Sequence, residues 1–190
     1  MSWQFGGLRM FGYELIVADV PLDFKNYSDA GTAKGADPHY KVMPLADIKA
    51  LPVGELASKD CLLLFWTTGW AMAEGIATDI VRTWGFVPKS EIVWLKKTVN
   101  NKNRMGTGYR VRTMHEPILL ATTGSPQHKP FPSTFEGLAR EHSRKPEEFY
   151  AMVDAHCWNL VNRADLFTRT DRAGWDNWGD QVGLFDQGAV

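Results

Sequence analysis

The sequence predicts an α/β domain, with a mostly parallel central sheet and helices on both faces. Three observations carry this. Short apolar runs of strand length alternate with stretches whose apolar residues recur at helical spacing. Several runs, residues 15–18 and 61–66 above all, are apolar throughout, as strands buried on both faces are. Three long polar stretches follow strands, so they would gather at the carboxyl edge of a parallel sheet, where open α/β sheets keep their sites.

The elements follow in order. Residues 1–12 are Gly- and aromatic-rich and irregular; residues 13–18 read as the first strand, stopping at Asp19 and turning through Pro21. A polar loop over 25–44 leads to a short helical stretch, 45–51, ended by Pro52. Residues 61–66 form a central strand. Met72, Ile76, Ile80, Val81 and Trp84 then recur at helical spacing and predict one helix over 70–84, stopped by Gly85. Residues 91–96 are a strand, 97–112 a basic loop, 116–121 another strand, and 127–144 a third loop. Pro146 suits the first position of a helix, with Glu147 and Glu148 in its first turn and Phe149, Met152 and Val153 inward. A short strand over 164–167 and a Gly- and Trp-rich tail, 173–181, complete the chain.

With 190 residues, 44% apolar and 23% charged, the chain suits one domain spanning 1–190. A net charge of −1 supplies no global basic field, so a nucleic-acid partner would have to meet a local basic patch or another subunit. Two distant cysteines without a C-x-x-C argue against a disulfide scaffold or a zinc site and suit a reducing cytoplasm. The start lacks the basic and apolar regions of a secretory leader, and no run of 18 apolar residues predicts a membrane span. The expectation is a cytoplasmic protein.

Standard constellations are missing: no P-loop, no G-x-S-x-G elbow, no H-E-x-x-H, and histidines 39, 115, 128, 142 and 156 without ligand spacing. No metal site is expected. Asp19 at the end of a buried strand either caps a turn or carries chemistry. Lys145 precedes the acidic first turn of a helix, where the dipole disfavours a cation; either Glu147 and Glu148 offset it, or it joins the free N–H groups in holding an anion such as a carboxylate. Asp165 and Arg169 flank a strand end, with Asp180 and Gln181 beyond; they are either surface groups or ligands for a ribose or amino-acid head group. The basic loop holds Lys96, Lys97, Lys102, Arg104, Arg110 and Arg112 around Tyr109; it is either a solvated face or tracks a nucleic-acid backbone.

The ordered series is specific. It runs Asp19-Val-Pro-Leu22, Pro38-His-Tyr40, Phe65-Trp-Thr-Thr68, Trp84-Gly-Phe86, Trp94-Leu-Lys96, Gly106-Thr-Gly-Tyr109, His115-Glu116, Lys145-Pro146 and Leu166-Phe-Thr-Arg169, with Gly174-Trp175 and Trp178-Gly179 behind. From about residue 13 to 181 this resembles the MT-A70 family of S-adenosylmethionine-dependent adenine-N6 methyltransferases. The resemblance implies a Rossmann-like class I methyltransferase fold in permuted order, the catalytic motif preceding the cofactor segment. It implies methyl transfer to the N6 amine of adenine in nucleic acid, DNA more than RNA, with S-adenosylmethionine as cofactor. It places Asp19 and the Val20 carbonyl, with Pro21 and Leu22, at the reacting amine. Lys145, Asp165, Arg169, Asp180 and Gln181 fall at cofactor positions. Phe24, Tyr27, Tyr40, Lys96, Arg104, Tyr109 and Arg110 fall at substrate positions in the loops at 25–44 and 97–113, which would touch nucleic acid. A homodimer or a partner subunit is compatible.

Two departures stand out. The family motif is D-P-P-W; here it is Asp19-Val20-Pro21-Leu22. Val20 keeps a carbonyl, but Leu22 replaces the aromatic that stacks on the target base, a contact of about 1–3 kcal/mol. Leu22 therefore leaves open an enzyme for a different base, or a non-catalytic binding subunit.

Overall fold

The computed structural model describes residues 3–22, 42–106, 110–141 and 144–186. Seven strands form one sheet: β1 (Tyr13–Asp19), β2 (Ala57–Trp66), β3 (Val87–Lys97), β4 (His115–Thr123), β5 (Thr134–Leu138), β6 (Arg163–Leu166) and β7 (Asp176–Trp178). Their order is β5-β3-β4-β2-β1-β6-β7. β1 lies between parallel neighbours β2 and β6, and only β4 runs against the rest. The mostly parallel α/β architecture expected of a Rossmann-like methyltransferase is what the chain adopts.

The all-apolar runs explain the layering. Successive side chains of a strand point to opposite faces. Ile16 and Ala18 of β1, with Leu63 and Phe65 of β2, join one core; Leu15, Val17, Leu62 and Leu64 join the other. The first core is covered by α1 (Leu45–Ala50), a 3-10 turn at Val53–Glu55, α2 (Gly69–Ala73) and α3 (Ile76–Thr83), through Ile48, Val53, Ala71, Ala77, Ile80 and Val81. The second is covered by α4 (Glu147–His156), through Phe149, Tyr150 and Val153. Each buried Ile, Leu, Val or Phe among them contributes roughly 1.5–3 kcal/mol of burial. Cys61 and Cys157 are buried and free. Burial pushes the Cys157 thiol up to about 12 and the Cys61 thiol up as well, so both are inert core residues.

The structure corrects several sequence expectations. The helix expected over 70–84 is broken: Gly75 adopts φ 73° and separates α2 from α3, whose apolar periods align although their backbones do not. Pro146 is the extended N-cap (φ −71°, ψ 149°), one position before the helix. The stretch 127–144 is not one loop, because it contains edge strand β5; the tail likewise contains β7. Because β4 is reversed, that stretch leaves the amino edge of the sheet, where Thr123 faces Cys61, and climbs back as β5. Of the described residues, 139–141 at its far end, with 144 and 145, reach the carboxyl edge.

No described helix is long and apolar enough to cross a membrane, and no group of His, Cys, Asp or Glu that could hold a metal occurs among the described residues.

Candidate active site

The carboxyl ends of β1, β2 and β3 and the start of β4 open on a cleft of about 130 Å³. Its walls include Asp19, Trp66, Trp94, Lys96, Arg104, Glu116, Arg140, Arg144 and Lys145. Each arrives by a local rule. Asp19 is the last residue of β1, where the apolar run must end because Pro21 follows. Trp66 is the last residue of β2, beside Asp19 of β1 and Ile118 of β4. Lys145 precedes the N-cap of α4, which sets it against the tips of β1 and β6.

Lys145 is 8% exposed, and it joins two carboxylates. Its Nζ lies 3.6 Å from Asp19 Oδ2 and 3.5 Å from Asp165 Oδ1. Asp165 is fully buried on β6 and also accepts a 2.7 Å hydrogen bond from the Tyr150 hydroxyl of α4. Burial, and after it the adjacent Asp165 charge, push the Tyr150 hydroxyl far above its ordinary value, so Tyr150 stays a donor. Arg172 stacks over the Tyr150 ring at 3.6 Å and pairs with Glu147, which Arg140 also meets at 2.9 Å. Arg140 further donates to the Lys145 carbonyl at 2.8 Å. Asp19, Lys145, Asp165 and Tyr150 thus form a continuous polar chain across three elements. Lys145 faces carboxylates from β1 and β6 and not the helix N-terminus alone.

On the opposite wall Lys96 of β3 pairs with Glu116 of β4 and lies 5.1 Å over the Trp94 ring. Burial raises the Glu116 carboxyl above the ordinary range; Lys96 opposes this and the Asp19 charge adds to it. Trp66 and Trp94 meet edge to face at 5.8 Å and supply the cleft's aromatic walls.

The four-residue turn behaves differently from its letters. Of Asp19-Val-Pro-Leu22, only Asp19 lines the cleft. The Val20 carbonyl already accepts the Leu22 N–H at 2.8 Å, which leaves one lone pair for another donor. The Pro21 carbonyl accepts from Met43 N at 2.9 Å, and Leu22 is 8% exposed within the first core, bridged to Met43.

Among the other expected residues, Lys96 and Arg104 line the cleft, while Arg110 is exposed on the basic loop away from its walls. Arg169 and Arg144 both lie over the Phe185 ring, at 5.9 and 5.1 Å, which ties the tail to the cleft rim. Phe167 takes a left-handed φ of 60° immediately after β6, a strained position that turns the chain toward Arg169. Asp180 is exposed; Gln181 is half-buried, with its Oε1 buried and without a described partner. Phe24, Tyr27, Tyr40 and Tyr109 lie outside the described residues.

Sequence reasoning did not single out Glu116, Trp94, Arg140 or Arg144 for the site. The charged run Arg140-Glu141 to Arg144-Lys145 before Pro146 is a signal that could have found the last two.

The chain matches the MT-A70 family over residues 13–181. It is 27% identical to the Type II methyltransferase M.MunI of Mycoplasma sp. over 90% of this chain and 78% of that protein. It is 30% identical to an MT-A70-like N(6)-adenosine-methyltransferase of Arabidopsis thaliana, over 95% of this chain but 25% of that longer protein. It is 28% identical to the N6-methyladenosine RNA methyltransferase MTA1 of Cryphonectria parasitica, covering 92% of this chain and 53% of the relative.

Proposed function

Because the chain belongs to the MT-A70 family of methyltransferases, we propose that it transfers a methyl group to the N6 amine of adenine in nucleic acid, with Asp19 holding that amine. The observation that carries the reading is Asp19 itself: a carboxylate at the end of a central strand, in a cleft walled by tryptophans and cations. We take DNA as the substrate more than RNA, since the type II methyltransferase is matched over 78% of its length and the N6-methyladenosine RNA methyltransferase over 53% of its own.

The chain's donors and acceptors fit S-adenosylmethionine. That molecule carries a carboxylate, an ammonium and ribose hydroxyls. Lys145 is a buried ammonium at the right edge, and Gln181 Oε1 is a buried acceptor still in need of a donor. Lys145 would hold the carboxylate, with Arg169, Asp165, Asp180 and Gln181 serving the rest. When bound, S-adenosylmethionine supplies an electrophilic methyl group.

The exocyclic amine of adenine is a weak nucleophile, because its lone pair is delocalised into the ring. Asp19 would accept one N–H bond and the free lone pair of the Val20 carbonyl the other; as the nitrogen becomes pyramidal its lone pair leaves conjugation with the ring and is localised for attack. The Asp19 carboxylate then stabilises positive charge as it develops on nitrogen, and one N–H proton is lost to solvent to leave the neutral methylamine. Trp66 and Trp94 supply apolar walls that exclude water.

The test is a calorimetric titration with S-adenosylmethionine, followed by transfer of labelled methyl to adenine-containing oligonucleotides. Wild type should bind and transfer, and Lys145→Met should lose binding. A flat wild-type titration would overturn the reading. Binding without transfer would make the chain a cofactor-binding subunit.

A further inference from the structure

We propose that Lys145 is shared between the two substrates: the carboxylate of S-adenosylmethionine draws its ammonium away from Asp19 and so frees Asp19 to receive the adenine amine. This rests on the reading proposed above. It makes cofactor and target bind with positive cooperativity.

Five cations line the cleft: Lys96, Arg104, Arg140, Arg144 and Lys145. Four are already engaged. Lys96 donates to Glu116, Arg104 to the Ala139 carbonyl, Arg140 to Glu147 and Arg144 to Glu141. Lys145 differs. Its side chain is only 6% exposed, yet its Nζ closes no hydrogen bond among the described residues. It stays 3.6 Å from Asp19 Oδ2 and 3.5 Å from Asp165 Oδ1, whereas charge-assisted N–H···O bonds close at about 2.7–2.9 Å. Asp165 Oδ1 is itself buried without a hydrogen-bond partner among the described residues. A buried ammonium suspended between two carboxylates, its N–H donors unfilled, still awaits an acceptor.

The two carboxylates are not equivalent. Asp165 is fully buried on β6 and fixed by the Tyr150 hydroxyl at 2.7 Å. The Asp19 side chain is 32% exposed, at the cleft, and Lys145 is its one ion-pair partner among the described residues. Asp165 therefore stays as the anchor, and Asp19 is the partner that can be exchanged. The Arg140 guanidinium holds the Lys145 carbonyl at 2.8 Å, so the exchange needs a swing of the side chain alone. A third carboxylate at Lys145 competes with Asp19 for one positive charge. Asp19, less neutralised, becomes the stronger acceptor for an amine N–H. An amine on Asp19 in turn loosens its hold on Lys145, because coupling between two sites is reciprocal.

The experiment uses ligands that cannot react. Calorimetry gives the affinity of S-adenosylhomocysteine, and of its decarboxylated analogue, for wild type and for the isosteric Asp19→Asn. Asp19→Asn should bind S-adenosylhomocysteine about fivefold or more tightly than wild type does, and the decarboxylated analogue no more tightly. With wild type, saturating S-adenosylhomocysteine should tighten binding of an adenine-containing oligonucleotide about fivefold or more, and the analogue should not; this arm needs no variant to fold. Unchanged or weaker S-adenosylhomocysteine binding by Asp19→Asn would overturn the sharing. So would equal tightening of both ligands, since only one carries the carboxylate, or oligonucleotide affinity indifferent to S-adenosylhomocysteine. Flat wild-type titrations with S-adenosylhomocysteine would overturn the cofactor reading and the sharing with it. Tighter cofactor binding by Asp19→Asn, with no oligonucleotide bound under any condition, would overturn the nucleic-acid reading and leave the sharing supported.

Discussion

Leu22 stands where the family motif has tryptophan, and from sequence its loss reads as a lost stacking surface. In the structure Leu22 is part of the core, tied to Met43, and the rings facing the cleft are Trp66 and Trp94. Leu22→Trp should therefore overfill a packed site at a cost of about 1–3 kcal/mol. Thermal unfolding should show a Tm lower by roughly 2–4 °C per kcal/mol, with no gain in transfer. An unchanged Tm with faster transfer would mean that the new ring reaches the cleft. Asp19 and Lys145 were legible because charge sits where local rules disfavour it, at a buried strand's end and before a helix. Glu116 was not, because its partner Lys96 is twenty positions away and the pairing depends on the register of two antiparallel strands.

At the scale of elements, α4 holds the site through its first turn. Burial works to raise the Glu147 carboxyl, but hydrogen bonds from Arg172 and Arg140 prevail and leave it below the ordinary range. A depressed folded value means that the contribution is fully present above the unfolded carboxylate pKa, about 4.3. It is lost as pH falls through the lower folded value. Glu147→Gln should lower Tm by a few degrees at neutral pH, since a half-exposed pair contributes at most about 1 kcal/mol. The gap from wild type should close below about pH 4. A gap that stays constant down to pH 3 would show that the arginine pairs contribute nothing. Strands β1 and β2 and helix α4 were readable from apolar runs and the proline-acid start. The break at Gly75 was hidden because Met72, Ile76 and Ile80 keep one helical period across it. Edge strands β5 and β7 lack an apolar run because one flank of each is unpaired.

Over the whole molecule, the reversed β4 is what the sequence concealed and what shapes the site. It puts Lys96 and Glu116 side by side and sends the chain back along β5 to deliver Lys145. The cleft sets Lys96, Arg104, Arg140, Arg144 and Lys145 against the carboxylates of Asp19, Glu116 and Glu141. All of this converges on Asp19, whose role one measurement addresses directly. Adenine-containing oligonucleotide is incubated with isotopically labelled S-adenosylmethionine and either wild type or Asp19→Ala, and the nucleosides are then identified by mass spectrometry. The account predicts label on N6 of adenine with wild type, and a fall of about 10²–10³-fold in Asp19→Ala with cofactor binding retained. Label on another atom, or N6 methylation undiminished without Asp19, would contradict it.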